Sequence, residues 1–184
     1  MEKRENPILT HSNVLFYPFA PRREEILIAD IAHALSHICR ANGHFDTFYS
    51  VAQHSLNCRK EAEARQLPKR VQRACLLHDG SEAYLSDVTR PVKIYLPEYR
   101  DIEGRLQQLI YERFDLGDLT EEELAHVDAI DNTLLYYEFD KLHQQGLNGY
   151  VTPLQSEPDV RERKMSEVKA EFLHYFQRLV DSGK

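Results

Sequence analysis

The sequence has no run approaching the roughly 20 apolar residues that a membrane span requires, and its first ten residues, MEKRENPILT, carry no apolar signal segment. It has few cysteines. Cys39, Cys58 and Cys75 are odd in number, form no CxxC pair and sit inside apolar-periodic segments, which predicts reduced core residues of a cytosolic, cytoplasmic protein. Positive charge is also in deficit: the formal net charge of −7 argues against a nucleic-acid polymer as partner, since that binding is driven largely by phosphate neutralisation. A small phosphorylated ligand held by a few local cations is not excluded. No internal repeat, low-complexity tract or linker is visible, and 184 residues suit a single domain over 1–184 with a substantial core.

What is present reads as helices. Residues 13–29, NVLFYPFAPRREEILIA, carry β-favouring side chains around a Pro- and Arg-containing turn. They predict a small hairpin with Pro18 on an edge strand. A first helix is expected over about 30–41, with Asp30 as N-cap and Gly43 just past its end. A second begins at Ser50, where Gln53 completes a capping box, and runs to about 65. A third starts near Pro68 and passes through His78. A fourth spans about 98–114, burying Ile102, Leu106, Leu109 and Ile110, and a fifth opens on the Thr120/Glu123 capping box and reaches about 144. Residues 146–159 read as loop. A last amphipathic helix, about 160–181, turns Met165, Val168, Phe172, Phe176 and Leu179 inward. The fold class is all-α with a minor β element, its core at about 30–144.

Against this apolar background a few polar residues are misplaced. After VQRACLL, whose Val71, Ala74, Cys75 and Leu77 recur at helical spacing, come His78, Asp79 and, one turn on, Glu82. His54 is in the first turns of the second helix, and Asp131 interrupts the apolar stripe of Leu124, Val127, Leu134 and Leu135. Burying even a neutral polar group without a partner costs roughly 2–7 kcal/mol. Two imidazoles and two carboxylates converging in a core are compensated most simply by one divalent ion, Mn²⁺, Co²⁺, Fe²⁺, Zn²⁺ or Mg²⁺ by ligand type. A structural zinc site is disfavoured, because such sites usually use cysteine and none of the three has ligand spacing.

The segments DIAHALSHICRANGH, FYSVAQHS, HDGSEAYLSDVTRPVK and DNTLLYYEFDKL resemble the HD-domain metal-dependent phosphohydrolases, and more narrowly the small bacterial and prophage HD-domain 5′-deoxynucleotidases. The resemblance runs from Asp30 to Leu142 and implies an HD-domain helical bundle. It further implies that His54, His78, Asp79 and Asp131 bind one divalent metal, that Glu82 is the catalytic group, that Asp87 contacts the sugar and that Arg40 holds phosphate.

Lys93, in TRPVK, is a second candidate cation for phosphate, with Arg90 as its rival. Asp128 competes with Asp131 for the fourth ligand position; the resemblance implies an aspartate followed seven residues later by a glutamate and four beyond that by a leucine, which Asp131 matches with Glu138 and Leu142, and the centre of the apolar stripe independently favours Asp131. His33, His37 and His44 are weighed as a second metal site and read instead as surface or packing histidines.

The expected function is release of phosphate from deoxynucleoside 5′-monophosphates, with nucleotide as the small-molecule partner. The alternatives are deoxynucleoside triphosphate hydrolysis on the same fold and a non-catalytic nucleotide-binding module. Homo-oligomerisation is left open.

Overall fold

A short hairpin opens the chain. In the computed structural model, which describes residues 4–147, 149 and 152–181, β1 (Ile8–Leu9) pairs antiparallel with β2 (Leu15–Phe16), Ile8 opposite Phe16 and Leu9 opposite Leu15. It lies earlier than the sequence pattern suggested. The closing turn is Thr10–Val14, with Asn13 left-handed at φ 61°. The stretch beyond Phe16 contributes no second strand: Pro18 and Pro21 lack the N–H that a ladder needs, and the chain instead makes a 3-10 turn at Arg23–Glu25.

Eight helices follow among the described residues: α1 (Ile28–His37), α2 (Val51–Ala64), α3 (Lys69–Leu77), the single-turn α4 (Glu82–Leu85) and α5 (Arg90–Lys93), α6 (Pro97–Arg113), α7 (Glu121–Leu142) and α8 (Met165–Asp181). The protein is therefore all-α with a small N-terminal hairpin. Helix α2 is the hub, packing on α3, α7, α1 and α8. One contiguous cluster of buried apolar side chains extends from Phe16 to Leu179, and a smaller one joins Phe45, Tyr49 and Leu142. No helix among the described residues is long and apolar enough to cross a membrane.

Several helix ends differ from the sequence pattern for identifiable reasons. Helix α1 begins at Ile28, so Asp30 is not its N-cap; it is buried inside the helix and accepts the Ser12 backbone N–H at 2.7 Å, anchoring the hairpin turn. The helix stops at His37 because the chain then runs extended, Cys39 bridging Ser50 and the Arg40 N–H bonding the Tyr49 carbonyl at 2.8 Å. Arg40 consequently lies off the helix, at the head of a turn whose Ala41, Asn42 and Gly43 are all left-handed.

At α2, Ser50 accepts the Gln53 N–H, but the Gln53 amide turns away to the Asp159 and Arg161 carbonyls. Only half of that capping box forms. The Thr120/Glu123 box on α7 is complete. Helix α3 ends with His78 as its C-cap, and Glu82 begins a new turn rather than continuing the helix. Met165 starts α8 on the surface, while Val168, Phe172, Phe176 and Leu179 are buried as the spacing predicts. Within the loop at 146–159, residues 148, 150 and 151 lie outside the described residues.

Candidate metal centre

Three helices bring His54, His78, Asp79 and Asp131 to one point. His54 Nε2 stands 3.3 Å from His78 Nε2, 3.0 Å from Asp131 Oδ1 and 3.8 Å from Asp79 Oδ2. His78 Nε2 lies 3.3 Å from Asp79 Oδ2 and 3.7 Å from Asp131 Oδ1. Asp131 comes from the middle of α7, whereas Asp128 is exposed. Leu124 of the expected apolar stripe is also largely exposed; Val127, Ile130 and Leu134 carry the buried face.

The far sides of both rings explain why these nitrogens face one another. His78 Nδ1 lies 2.8 Å from the Cys75 carbonyl, which can only accept, so Nδ1 carries a proton and, in the neutral ring, Nε2 presents its lone pair. His54 Nδ1 is 2.7 Å from Glu138 Oε1. Glu138 is fully buried on α7 and also accepts from Tyr49 Oη at 2.7 Å and Arg40 Nε at 3.1 Å. Such outer partners fix the tautomer and ring orientation of metal-binding histidines.

Electrostatics agree with a cavity that wants a cation. Burial, and Arg40 beside it, oppose the charged form of His54, yet Cys58, Glu138 and the hydrogen bond to Asp131 outweigh both and hold its pKa well above the ordinary value. Burial likewise opposes charge on His78, but Asp79 and Asp131 raise it. Burial would raise Asp131; the hydrogen bonds from His54 and His78 instead drive it well below the usual carboxylate range. Raised imidazoles beside a lowered carboxylate mark a place where positive charge is favoured, and a divalent ion could supply it.

One neighbour was not expected. Cys58, one turn after His54 on α2, sets Sγ 3.4 Å from His54 Nε2. His54, Cys58 and His78 form a group that could hold a metal ion, one donor atom from each lying within 4.8 Å of the others. The signal in the sequence was the i, i+4 relation between histidine and cysteine on one helix face, not a cysteine pair. Glu138 was missed as the partner of His54; its offset of seven from Asp131, two helical turns, placed it on the same face of α7.

Around this centre lie the remaining candidates. Glu82 is almost wholly buried and its Oε2 has no hydrogen-bond partner among the described residues. Burial, with Asp79 and Asp87 nearby, holds its carboxyl well above the ordinary range despite Lys93 and Arg40. Lys93 Nζ is shared between Glu82 at 3.4 Å and Glu103 of α6 at 2.5 Å. Burial raises the Asp87 carboxyl while Arg40 lowers it. The turn into Asp87 passes through Ser86 at φ 70°, ψ 158°, a region that favours glycine.

Arg40 faces inward, its guanidinium 3.4 Å from Asp79 and 3.6 Å from Asp131. Arg90 is at the rim, bonded to Asn132 Oδ1 at 2.7 Å and to Asp131 Oδ2 at 3.3 Å. The structure thus brings all eight sequence-derived residues into one neighbourhood.

The other histidines do not build a second centre. His33 and His37 lie with ring centroids 4.2 Å apart, and His11 of the hairpin turn stacks on His33 at 3.7 Å. Lys169 Nζ sits 3.1 Å from His11 Nε2, a fixed positive charge where an ion would have to go. His44 is exposed at the end of the Arg40 turn.

No family model matches the chain. It is 36% identical over 123 residues to the uncharacterized protein YfdR of Escherichia coli K12, a match covering 67% of this chain and 66% of that protein. It is 40% identical over 102 residues to the uncharacterized protein RCAP_rcc00048 of Rhodobacter capsulatus, covering 52% of each. The matched stretch spans less than two thirds of either relative, and neither relative's description states an activity.

Proposed function

We propose that this chain is a divalent-metal-dependent phosphohydrolase of the HD type that releases phosphate from deoxynucleoside 5′-monophosphates. The observation that carries the reading is the convergence of His54 Nε2, His78 Nε2, Asp79 Oδ2 and Asp131 Oδ1 beside a buried, unpartnered Glu82 oxygen. The donor set fits Mn²⁺, Co²⁺, Fe²⁺, Zn²⁺ or Mg²⁺. When bound, such an ion acts as a Lewis acid and lowers the pKa of its water towards roughly 7.

The chain's own groups do the rest. Glu82, with its carboxyl raised by burial and by Asp79 and Asp87, is suited to take a proton from the attacking water and return it to the leaving oxygen. Such proton transfer contributes about 10²–10⁴-fold. Arg40 and Lys93 supply positive charge for phosphoryl oxygens, and Asp87 can accept from a sugar hydroxyl. Because Lys93 is held by both Glu82 and Glu103, and Asp87 and Asp79 add further negative charge, the site favours a monophosphate over a more highly charged triphosphate.

A phosphate-release screen of deoxy- and ribonucleoside mono- and triphosphates, with Mn²⁺, Co²⁺ and Mg²⁺ in turn, tests the reading. Phosphate from a deoxynucleoside monophosphate, abolished by chelation, is the expected result. Turnover of triphosphates alone would move the assignment to triphosphate hydrolysis, and nucleotide binding with no turnover on any metal would make the chain a binding module.

A further inference from the structure

Resting on that metal-site reading, we infer that Cys58 is a fifth protein ligand of the ion, giving this centre a sulfur donor alongside its two imidazoles and two carboxylates. The geometry is built by α2. His54 and Cys58 are four residues apart and share one face, and both are buried. Their donor atoms are 3.4 Å apart, a separation that suits neighbouring ligands at about 2.1 Å for nitrogen and 2.3 Å for sulfur. A ring nitrogen of His78, from the end of a different helix, lies within 4.8 Å of the sulfur, and His54 meets both through Nε2, at 3.3 Å from His78 and 3.4 Å from Cys58, so the sulfur is on the cavity side of His54 and not behind it. Glu138 occupies the opposite ring nitrogen.

Ligation breaks the S–H bond, forms the sulfur–metal bond and releases one proton to solvent. A soft donor in the set shifts selectivity. Thiolate favours zinc, cobalt and ferrous iron, whereas magnesium takes oxygen ligands and keeps several waters. The centre is therefore a thiophilic one, distinct in preference from an all-nitrogen-and-oxygen site.

Cobalt reports on sulfur directly. The full chain, reduced and loaded with one equivalent of Co²⁺, should show d–d bands together with a near-ultraviolet sulfur-to-cobalt charge-transfer band. In Cys58→Ala and in Cys58→Val, which keeps the buried volume filled, the charge-transfer band should vanish while cobalt still binds. Cys39→Ser and Cys75→Ala should retain it. Zinc affinity of Cys58→Val should fall on the order of tenfold or more with magnesium affinity unchanged.

One equivalent of bound cobalt showing d–d bands alone in the unmodified chain would overturn the sulfur ligand and leave the metal-site reading standing. Failure of the folded protein to bind cobalt, zinc or magnesium would overturn both.

Discussion

Glu82 and Asp131 are both carboxylates at the edge of one cavity, and their surroundings push them in opposite directions. Asp131 is held ionised by two imidazoles, while Glu82 is pushed toward its neutral form by burial and by Asp79 and Asp87. The first is suited to holding a cation and the second to carrying a proton. Glu82→Gln should keep the metal stoichiometry, measured by elemental analysis, and lower phosphate release by about 10²–10⁴-fold; unchanged turnover would remove Glu82 from the chemistry. Asp131→Ala should empty the site. Asp128→Ala, at an exposed position of the same helix, should change stability by no more than about 0.5 kcal/mol. Metal content of the two purified variants decides between them, and the reverse result would move the ligand to Asp128.

The sequence exposed these residues because ionisable groups on apolar faces are conspicuous. It concealed Cys58 for the opposite reason: a cysteine on an apolar face looks like any core residue, and only its spacing from His54 marked it. Arg40 was located in sequence but not in form. Nothing in CRANGH announced that Ala41 and Asn42 would join Gly43 in left-handed geometry, so the expected helix ran four residues too far.

Among the elements, α2 works on two fronts. His54 and Cys58 face the candidate metal centre. Gln53, Asn57 and Glu61, also at intervals of four, hold the segment that leads into α8. Gln53 and Asn57 bond the Asp159 backbone, and Glu61 accepts the Gln155 and Ser156 N–H groups, the Ser156 hydroxyl and Arg65. Because polar side chains serve both fronts, α2 has weak amphipathic contrast, yet almost every residue from Val51 to Ala62 is buried.

Burial alone would raise the Glu61 carboxyl, but the hydrogen bonds from Ser156, Gln155 and Arg65 bring it below its usual 4.5. A folded pKa below the unfolded one gives stability that is complete above the unfolded value and is lost as pH falls through the folded one. Glu61→Gln should therefore cost about 2 kcal/mol at neutral pH, the scale of charge-assisted hydrogen bonds. The difference from the unmodified protein in thermal melts should shrink as pH drops below about 4.5. A constant difference across that range would show that the charge is not what holds the segment.

Element type was legible wherever the pattern was long: α6, α7 and α8 form where the apolar spacing placed them, with Ile102 and Leu109 only half-buried and Leu124 and Met165 exposed, and Thr120 caps α7 as read. The hairpin was not. Its strands are two residues each, too short to alternate visibly, and the β-favouring stretch after Phe16 is interrupted by Pro18 and Pro21. Tertiary demand also overrode local grammar at Gln53, whose amide was more useful to the Asp159 and Arg161 carbonyls than to its own cap.

For the molecule as a whole, the proposed ion would act as a clasp between α2, the end of α3 and α7. Free energy of binding to the folded state alone adds to stability, about 2.7 kcal/mol at a hundredfold excess over Kd. For a chain of this size that corresponds to a rise in Tm of about 5–11 °C. Calorimetry with and without chelator measures it, and identical melting temperatures under saturating metal would argue that no ion joins these helices.

The enclosure of α2 has a last consequence, one of time rather than energy. Its amides are wrapped by four other helices on one side and by the Gln155–Arg161 segment on the other, so water reaches them only when much of the molecule opens. In deuterated solvent the peptide hydrogens of Leu56 to Ala62 should be among the slowest to exchange, with protection close to that of global unfolding. The single-turn helices α4 and α5, which carry Glu82 and Lys93, should exchange far sooner. The α2 wall of the candidate metal centre would then be the most permanent part of the protein, while Glu82 and Lys93 sit on its most readily loosened part.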